Sequence, residues 1–178
     1  MTSMEPLSLG VSRFPPTTGD LLVASPLLRD PNFAHTVVLL IEVNADGAVG
    51  LVLNRPTETP VADVLDGIDP VAPPVLFEGG PVGTDSAITI SDQSGSVRVV
   101  DVDEVDVLPT RLRVFAGYSG WSPGQLEAEI LEGSWYVVSG RAADAFHESP
   151  QSLWQQVLRR ETGMLPWLST MPMDPELN

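Results

Sequence analysis

Residues 111–130 read RLRVFAGYSGWSPGQLEAEI, and they combine the signals of a strand, a loop and a helix. The mostly apolar residues over 112–116 predict a strand. Glycines and aromatic residues then alternate over 117–121, and we expect a loop there because glycine permits turns and close backbone approach. The remaining residues carry the pattern of a helix that begins at Ser122.

The start of this helix has the form of a capping box. The Ser122 hydroxyl can accept the Gln125 backbone N–H, and the Gln125 side chain can accept the N–H of Ser122, with Pro123 at the first helical position. Thr59-Pro60 and Ser149-Pro150 repeat the hydroxyl–proline pair, so helices are predicted to begin there too. The last of these helices carries an apolar stripe formed by Leu153, Trp154, Val157 and Leu158.

Short aliphatic runs predict strands along the rest of the chain. They are Leu21–Ala24, Thr36–Val43, Ala48–Leu53, Val75–Phe77, Ala87–Ser91, Val97–Val100 and Trp135–Val138. The second run is apolar at every position from Val37 to Ile41, which indicates a central strand covered on both faces. Many short strands, with helices in the second half, predict an α+β fold with a mostly antiparallel or mixed sheet.

Length and composition indicate one domain. A chain of 178 residues with 43% hydrophobic and 19% charged residues can bury enough apolar surface to fold without disulfides or metals. The prolines near the start predict a loosely ordered arm over 1–18. A single domain is expected over 19–162, followed by a tail over 163–178.

Charge and cysteine content exclude several classes of function. The chain has 24 acidic residues against nine basic ones, all arginine, and a net charge of −15, so binding to nucleic acid or to anionic membranes is disfavoured. With no cysteine there is no disulfide, thiolate metal site or cysteine nucleophile. No apolar run is long enough to span a bilayer, so we expect a cytoplasmic protein, without cofactor or metal.

Two short motifs follow predicted strands. Gly79-Gly80-Pro81 lacks the Gly-Lys-Ser/Thr ending of a phosphate-binding loop, so a strand-terminating turn is favoured over a phosphate cradle. Asn54-Arg55 ends a buried strand. An arginine at that point can bridge to a carboxylate of the protein or of a ligand, and the internal bridge is favoured.

Tyr118, Trp121 and Glu129 are the candidates of the 111–130 segment. The two aromatic rings either fill the core at a packed corner or form a binding surface with the N-terminus of the helix, whose free N–H groups favour an anion. Gly117-Tyr118-Ser119-Gly120 lacks the spacing of a serine-hydrolase elbow. Neither His35 nor His147 is combined with a second plausible metal ligand at short helical spacing, so each is expected to be structural or solvated.

Taken together, several separated motifs resemble the YqgE/AlgH family of bacterial proteins. In order they are Gly19-x-Leu-Leu-x-Ala24-x-Pro26, Phe33, Gly47-Ala-x-Gly-Leu-Val-Leu-Asn-Arg-Pro56, Gly79-Gly-Pro-Val82, Gly117-Tyr-Ser-Gly-Trp-x-x-Gly-Gln-Leu-x-x-Glu-Ile130 and Trp135. The resemblance covers about residues 19–160 and implies a compact α+β protein with a barrel-like or strongly curved sheet. One branch of that family has been associated with transcriptional regulation, but the resemblance implies no reaction.

Three hypotheses follow. The leading one is a non-catalytic cytoplasmic binding or regulatory protein, whose partner is an unknown protein or a small anionic ligand. Its surface would comprise Asn54, Arg55, Gly79, Gly80, Pro81, Tyr118, Trp121 and Glu129. The second is an enzyme for a small anionic substrate, with Arg55 as anion clamp and Glu129 as general base. The third, a DNA-binding regulator, is disfavoured by the charge, and the oligomeric state is left open.

Overall fold

The structure, a computed structural model, describes residues 13–172, and strands dominate it. The nine strands of this part of the chain are β1 (Asp20–Ala24), β2 (Val37–Asn44), β3 (Gly47–Val52), β4 (Pro56–Pro60), β5 (Val75–Glu78), β6 (Val82–Gln93), β7 (Ser96–Val100), β8 (Leu112–Trp121) and β9 (Trp135–Ser139). Its four α-helices are α1 (Gln125–Leu131), α2 (Ala142–Ala145), α3 (Leu153–Arg160) and α4 (Leu165–Leu168). Within 13–172, no helix combines the length and apolar character that crossing a membrane requires.

All these strands belong to one mixed sheet that does not close on itself. Its main path runs β4-β5-β8-β3-β2-β1-β9, while β6 pairs with β8 and carries β7 on its other side. The pairings of the described strands are antiparallel except for that of β5 with β8. The predicted α+β fold with a mixed sheet is confirmed.

Two apolar cores cover the two faces of the central strands. The first core includes Leu39 of β2 and the apolar stripe of α3, and the second core includes Leu40 of β2 and Leu126 of α1. Alternate residues of β2 point to opposite faces, so both cores need apolar residues from it. The predictions of a central strand and of the α3 stripe are confirmed. Burial of each stripe side chain stabilises the fold by about 1.5–3 kcal/mol.

Strand β8 is longer than the sequence predicts, because residues 117–121 continue the strand instead of forming a loop. Residues 112–116 pair with β6, and Phe115 and Ala116 also pair with β5. Beyond the bend at Gly117, where φ is +73°, the residues from Ser119 to Trp121 pair with β3. The backbone N–H and C=O groups of this segment therefore bond to strands that are distant in sequence, and not to water as a loop would predict.

The three predicted helix starts have different outcomes. Pro150 opens a 3-10 turn that leads into α3, as expected for proline in a first helical turn. Thr59-Pro60 instead ends β4 and precedes only a 3-10 turn, Val61–Asp63. Helix α1 begins at Gln125 after Gly124, and the predicted capping box is half formed. The Gln125 side chain accepts the Ser122 N–H at 3.0 Å, but the Gln125 N–H donates to the Ser122 carbonyl and not to its hydroxyl.

Residues 1–12 of the predicted arm and 173–178 of the predicted tail lie outside the described residues. Where the arm is described, Arg13 lies along β9. Its backbone N–H donates to the Val137 carbonyl at 3.0 Å, and its guanidinium pairs with Asp20 at 3.2 Å. In the tail, Leu165 of α4 is buried in the first core.

Candidate functional site

The glycine motifs proposed as binding candidates meet where the sheet divides. β3 and β5 both pair with β8, and Gly79 lies at the junction between them. The Gly79 N–H donates to the Ala116 carbonyl at 2.9 Å, and the Gly79 carbonyl accepts the Val52 N–H at 3.0 Å. The Ser119 hydroxyl also donates to that carbonyl, at 3.2 Å. Gly79 therefore closes the joint between the two parts of the sheet.

Close backbone packing explains why residues 79 and 80 are glycines. A Cβ at Gly80 would lie 2.2 Å from the Tyr118 carbonyl group, and one at Gly79 would lie 2.3 Å from the Gly117 oxygen. Both glycines are buried, whereas Pro81 is exposed. The geometry favours the strand-terminating turn over the phosphate cradle.

Asn54 and Arg55 hold the loop that connects β1 to β2. The Asn54 side-chain oxygen accepts the Val37 N–H at 2.9 Å, and its amide nitrogen donates to the His35 carbonyl at 2.8 Å. The Arg55 guanidinium donates to the carbonyls of residues 31, 32 and 34 at 2.9, 2.6 and 3.3 Å. Arg55 thus makes internal contacts, as the favoured prediction has it, but its acceptors are backbone carbonyls and not a carboxylate.

Trp121 and Glu129 belong to a buried aromatic cluster. One Glu129 carboxylate oxygen accepts the indole N–H groups of both Trp121 and Trp135 at 2.9 Å, and the other accepts the Gln125 side-chain amide at 3.0 Å. The Phe33 ring lies 5.5 Å from the Trp135 ring, centroid to centroid, in an edge-on arrangement. Since Trp121 and Trp135 are 6% and 2% exposed, Glu129 satisfies two buried donors and orients α1.

The residues predicted for the site do not all lie on one side of the sheet. The half-buried Tyr118 packs against the first core, whereas Trp121 lies in the second core. None of the eight lines the cleft beside β7 or a smaller cleft between residues 87–89 and 99–103. Their binding role stays a prediction, and the structure gives most of their polar groups internal partners.

A cleft of about 620 Å³ lies beside β7 and offers a different site. One wall consists of residues 95–99, from the hairpin turn along β7. The opposite wall consists of residues 39–42 of β2, and the start of α2 together with residues 18–19 closes the cleft. Leu39 and Ile41 make part of this surface apolar.

Two exposed arginines of this cleft, Arg98 and Arg141, have no acid partner in the part of the chain that the structure describes. Their guanidinium groups form no ion pair and donate no hydrogen bond within residues 13–172. Most of the other arginines form an ion pair or donate to a backbone carbonyl of a described residue. These are Arg13, Arg55, Arg111, Arg113 and Arg160.

Two acids at or beside the cleft, Asp144 and Glu42, have other partners. The Asp144 carboxylate accepts the Arg141 backbone N–H at 2.8 Å and two nitrogens of Arg160 at 2.5 and 2.9 Å. Burial by itself would lower the pKa of Arg160, but its hydrogen bonds and attraction to Asp144 raise it. Glu42, in the cleft wall, accepts the Asn44 amide at 2.8 Å.

Arg113 is a buried cation without a carboxylate. It is 1% exposed and donates to the carbonyls of Ala145, His147 and Ala72 at 3.1, 3.0 and 2.6 Å. Burial, helped by the nearby charge of Arg111, lowers its pKa to about 10. Arg113 thereby ties two connecting segments to β8.

His35 is strained and lacks a partner on one ring nitrogen. Its φ is +56°, and its buried Nε2 has no hydrogen-bond partner among the described residues. The ring lies edge-on to Trp154 at 5.0 Å, and burial lowers its pKa. Across residues 13–172, no three His, Cys, Asp or Glu side chains are grouped to hold a metal ion.

Sequence reasoning missed Arg98 and Arg141. Neither belongs to a motif, because they lie on separate elements that meet only in the folded chain. The one available signal was the strand pattern at 97–99, in which a charged residue stands between two valines.

The chain is similar in sequence and in structure to proteins of one family. The profile of the family described as AlgH-like matches residues 21–166. A UPF0301 protein of Streptomyces avermitilis is 42% identical over 191 residues, which covers 95% of this chain and 99% of the relative. The crystal structure of a Corynebacterium diphtheriae protein is similar with a TM-score of 0.80 and 28% identity, over 90% of this chain and 95% of that one. The solution structure of AlgH from Pseudomonas aeruginosa is similar with a TM-score of 0.66 and 29% identity, over 97% and 98% of the two chains.

Proposed function

The chain belongs to the AlgH-like family of bacterial proteins, and on that footing we propose that it is a non-catalytic, cytoplasmic binding protein for an anionic ligand. The ligand occupies the cleft beside β7. Arg98 and Arg141 contact its negative groups, and the apolar wall residues contact its remaining surface.

The observation that carries this proposal is the pair of unpaired arginines in a strongly acidic chain. With a net charge of −15, acids are abundant, yet within residues 13–172 these two guanidinium groups have none as a partner. Arginine offers a rigid fork of N–H donors that suits carboxylate and phosphate groups. Two such side chains at one cleft supply positive charge that a ligand can neutralise.

The shape of the cleft supports the same function. A volume of about 620 Å³ falls within the roughly 300–1,000 Å³ of small-ligand sites. Ile41, Val97 and Val99 supply apolar contact, while the two arginines supply orientation. This combination of an apolar surface with few polar groups is the usual composition of a binding pocket.

Binding is favoured over catalysis because the cleft lacks a free acid–base pair. Its wall carboxylate, Glu42, accepts a hydrogen bond from Asn44, and its other ionisable side chains are the two arginines. The enzyme hypothesis required Arg55, Tyr118 and Glu129 in one pocket, but none of the three lines this cleft, and Arg55 and Glu129 have internal hydrogen-bond partners. Direct DNA binding gains no support, since two arginines form only a small basic surface.

The test is a titration of the ¹⁵N-labelled protein with citrate and with an acetylated, amidated triglutamate, followed by backbone amide shifts. We expect shifts at residues 96–99 and 140–142, and a weakening of about tenfold or more for Arg98→Ala and Arg141→Ala, since about 1.4 kcal/mol is tenfold in affinity. Arg159→Ala is the matched control, because Arg159 is an exposed arginine outside the cleft. The proposal fails if neither probe shifts the cleft residues, or if Arg159→Ala weakens binding as much.

A further inference from the structure

Strand β7 has an unpaired backbone edge. The Asp92 N–H donates at 3.3 Å to the carbonyl of Arg111, the residue that precedes β8, so the backbone groups of Asp92 face away from β7. Val97 lies directly opposite Asp92 in the β6–β7 pair. In an antiparallel pair, the backbone N–H and C=O groups of two opposite residues point either toward each other or away from each other, and never one of each. Val97, and by alternation Val99, therefore direct N–H and C=O away from β6. No described residue hydrogen-bonds to these groups.

The other two sheet edges are protected. β4 begins and ends with proline, at Pro56 and Pro60, and proline cannot donate to a neighbouring strand. On β9, the backbone N–H of Arg13 already donates to the Val137 carbonyl. Unprotected strand edges are templates for pairing with another chain. Among the described strands, β7 is the edge that stays open to such pairing.

The cleft proposed above runs along this open edge, since residues 95–99 line it consecutively. We infer that the ligand is an extended peptide segment carrying an acidic side chain, which adds to β7 as a further strand. This inference rests on the proposed function and specifies its ligand class. Backbone hydrogen bonds from Val97 and Val99 hold the peptide, as in other cases of strand addition.

Charge decides which peptide fits. A residue of the added strand directly opposite Arg98 has its Cβ about 4.5–5.5 Å away, so an acidic side chain there pairs with the guanidinium. Arg141 supplies a second positive group at the same cleft. A second copy of this chain fits poorly, because antiparallel pairing of two β7 strands through Val97 and Val99 places Arg98 opposite its own copy, and like charges there repel.

The experiment uses the acetylated, amidated peptide Val-Glu-Val-Glu-Val and two forms of it with methylated backbone nitrogens. One form carries the methyl groups on both glutamates, and the other carries them on the second and third valines. Alternate N–H groups of a strand face opposite edges, so strand addition predicts that only one methylated form loses binding, by about tenfold or more. Calorimetric titration of the full chain measures all three. Equal affinity of the two methylated forms overturns the inference.

A protein variant tests the same contact from the other side. Val99→Pro removes an N–H that faces the cleft and leaves the pairing with β6 intact, while Val99→Thr keeps the N–H as a matched control. We expect Val99→Pro alone to lose peptide affinity, by about tenfold, with the amide spectrum otherwise preserved. If Val99→Pro does not fold, the methylated peptides still decide.

The two proposals fail in different ways. If both methylated forms and Val99→Pro leave affinity unchanged while Arg98→Ala weakens it, the site binds anions without strand addition, and only the inference is overturned. If Arg98→Ala and Arg141→Ala leave the affinity of every probe unchanged, the proposed function is overturned as well.

Discussion

Replacing Glu129 by alanine removes the acceptor shared by two buried indoles. Its carboxylate oxygen lies 2.9 Å from both the Trp121 and the Trp135 ring nitrogens, and neither indole donates to another described residue. Both rings are packed against Phe33, which limits the access of water to their N–H groups.

The expected loss follows from these two donors. A buried donor left without an acceptor costs about 1–3 kcal/mol, so the two together cost about 2–6 kcal/mol of the free energy of unfolding. For a chain of this size each kcal/mol shifts Tm by about 2–4 °C, so Tm should fall by roughly 4–24 °C. Glu129→Gln keeps an oxygen at the shared position and should cost about 1 kcal/mol.

Urea unfolding followed by far-ultraviolet circular dichroism measures these values without relying on tryptophan fluorescence, which the variants themselves alter. A double-mutant cycle with Trp121→Phe isolates the hydrogen bond, because phenylalanine removes the N–H. We expect a coupling energy of about 1–2 kcal/mol between Glu129→Ala and Trp121→Phe.

Two results would refute this reasoning. Equal losses for Glu129→Ala and Glu129→Gln would show that the acceptor oxygen is not what stabilises the cluster. A coupling energy near zero would show that Trp121 does not depend on Glu129, and would return Glu129 to the candidates for a binding role.

Three further predictions concern stability. Gly80→Ala should lose more than about 2 kcal/mol in urea unfolding, since its Cβ meets the Tyr118 backbone at 2.2 Å, whereas Gly120→Ala, with its nearest neighbour at 3.8 Å, should lose under about 1 kcal/mol. Equal losses would contradict the close-packing explanation. Arg113→Ala should cost about 2–5 kcal/mol, because it leaves a cavity and three carbonyls without their donor, and Arg113→Met should cost less, because methionine refills the space. An Arg113→Met variant no more stable than Arg113→Ala would count against this. Burial lowers the pKa of His35 below 6.5, so the unfolded chain binds the proton first and stability falls as pH drops below 6.5. Thermal unfolding from pH 7 to about 5 should therefore show a smaller loss for His35→Asn, which tolerates the positive φ, and an unchanged slope would refute it.

The positions of the strands were largely predictable because aliphatic runs are local signals. The runs at 36–43 and 48–53 correspond to β2 and β3. The second half of β8 was not predictable, because its pairing partner β3 is distant in sequence and glycine is common in loops. Strand pairing supplied what local propensity lacked.

Capping signals were reliable only where no strand competed for the same residues. The Ser149-Pro150 pair does precede helical structure, since 3-10 and α-helical turns follow it. Thr59-Pro60 carries the same signal, but β5 pairs with this segment and it ends a strand instead. The two motifs look alike in sequence and differ in their neighbours.

The candidate site shows the same division. The sequence marks four residues as candidates, Gly79, Gly80, Trp121 and Glu129. It does not indicate which residues they contact. Arg98 and Arg141 could not be recognised, because an arginine between ordinary neighbours carries no local signal of whether an acid lies nearby.

By itself, the sequence determined the α+β class, most strand positions, the family and the acidic charge of this protein. Hydrophobic periodicity, turn residues and composition act over short stretches, so a linear reading captures them. Only the tertiary structure decided which polar groups are bonded internally and which face an open cleft. Hydrogen bonds and ion pairs join residues far apart in the chain, and the difference between a satisfied Glu129 and a free Arg98 exists only once those residues meet.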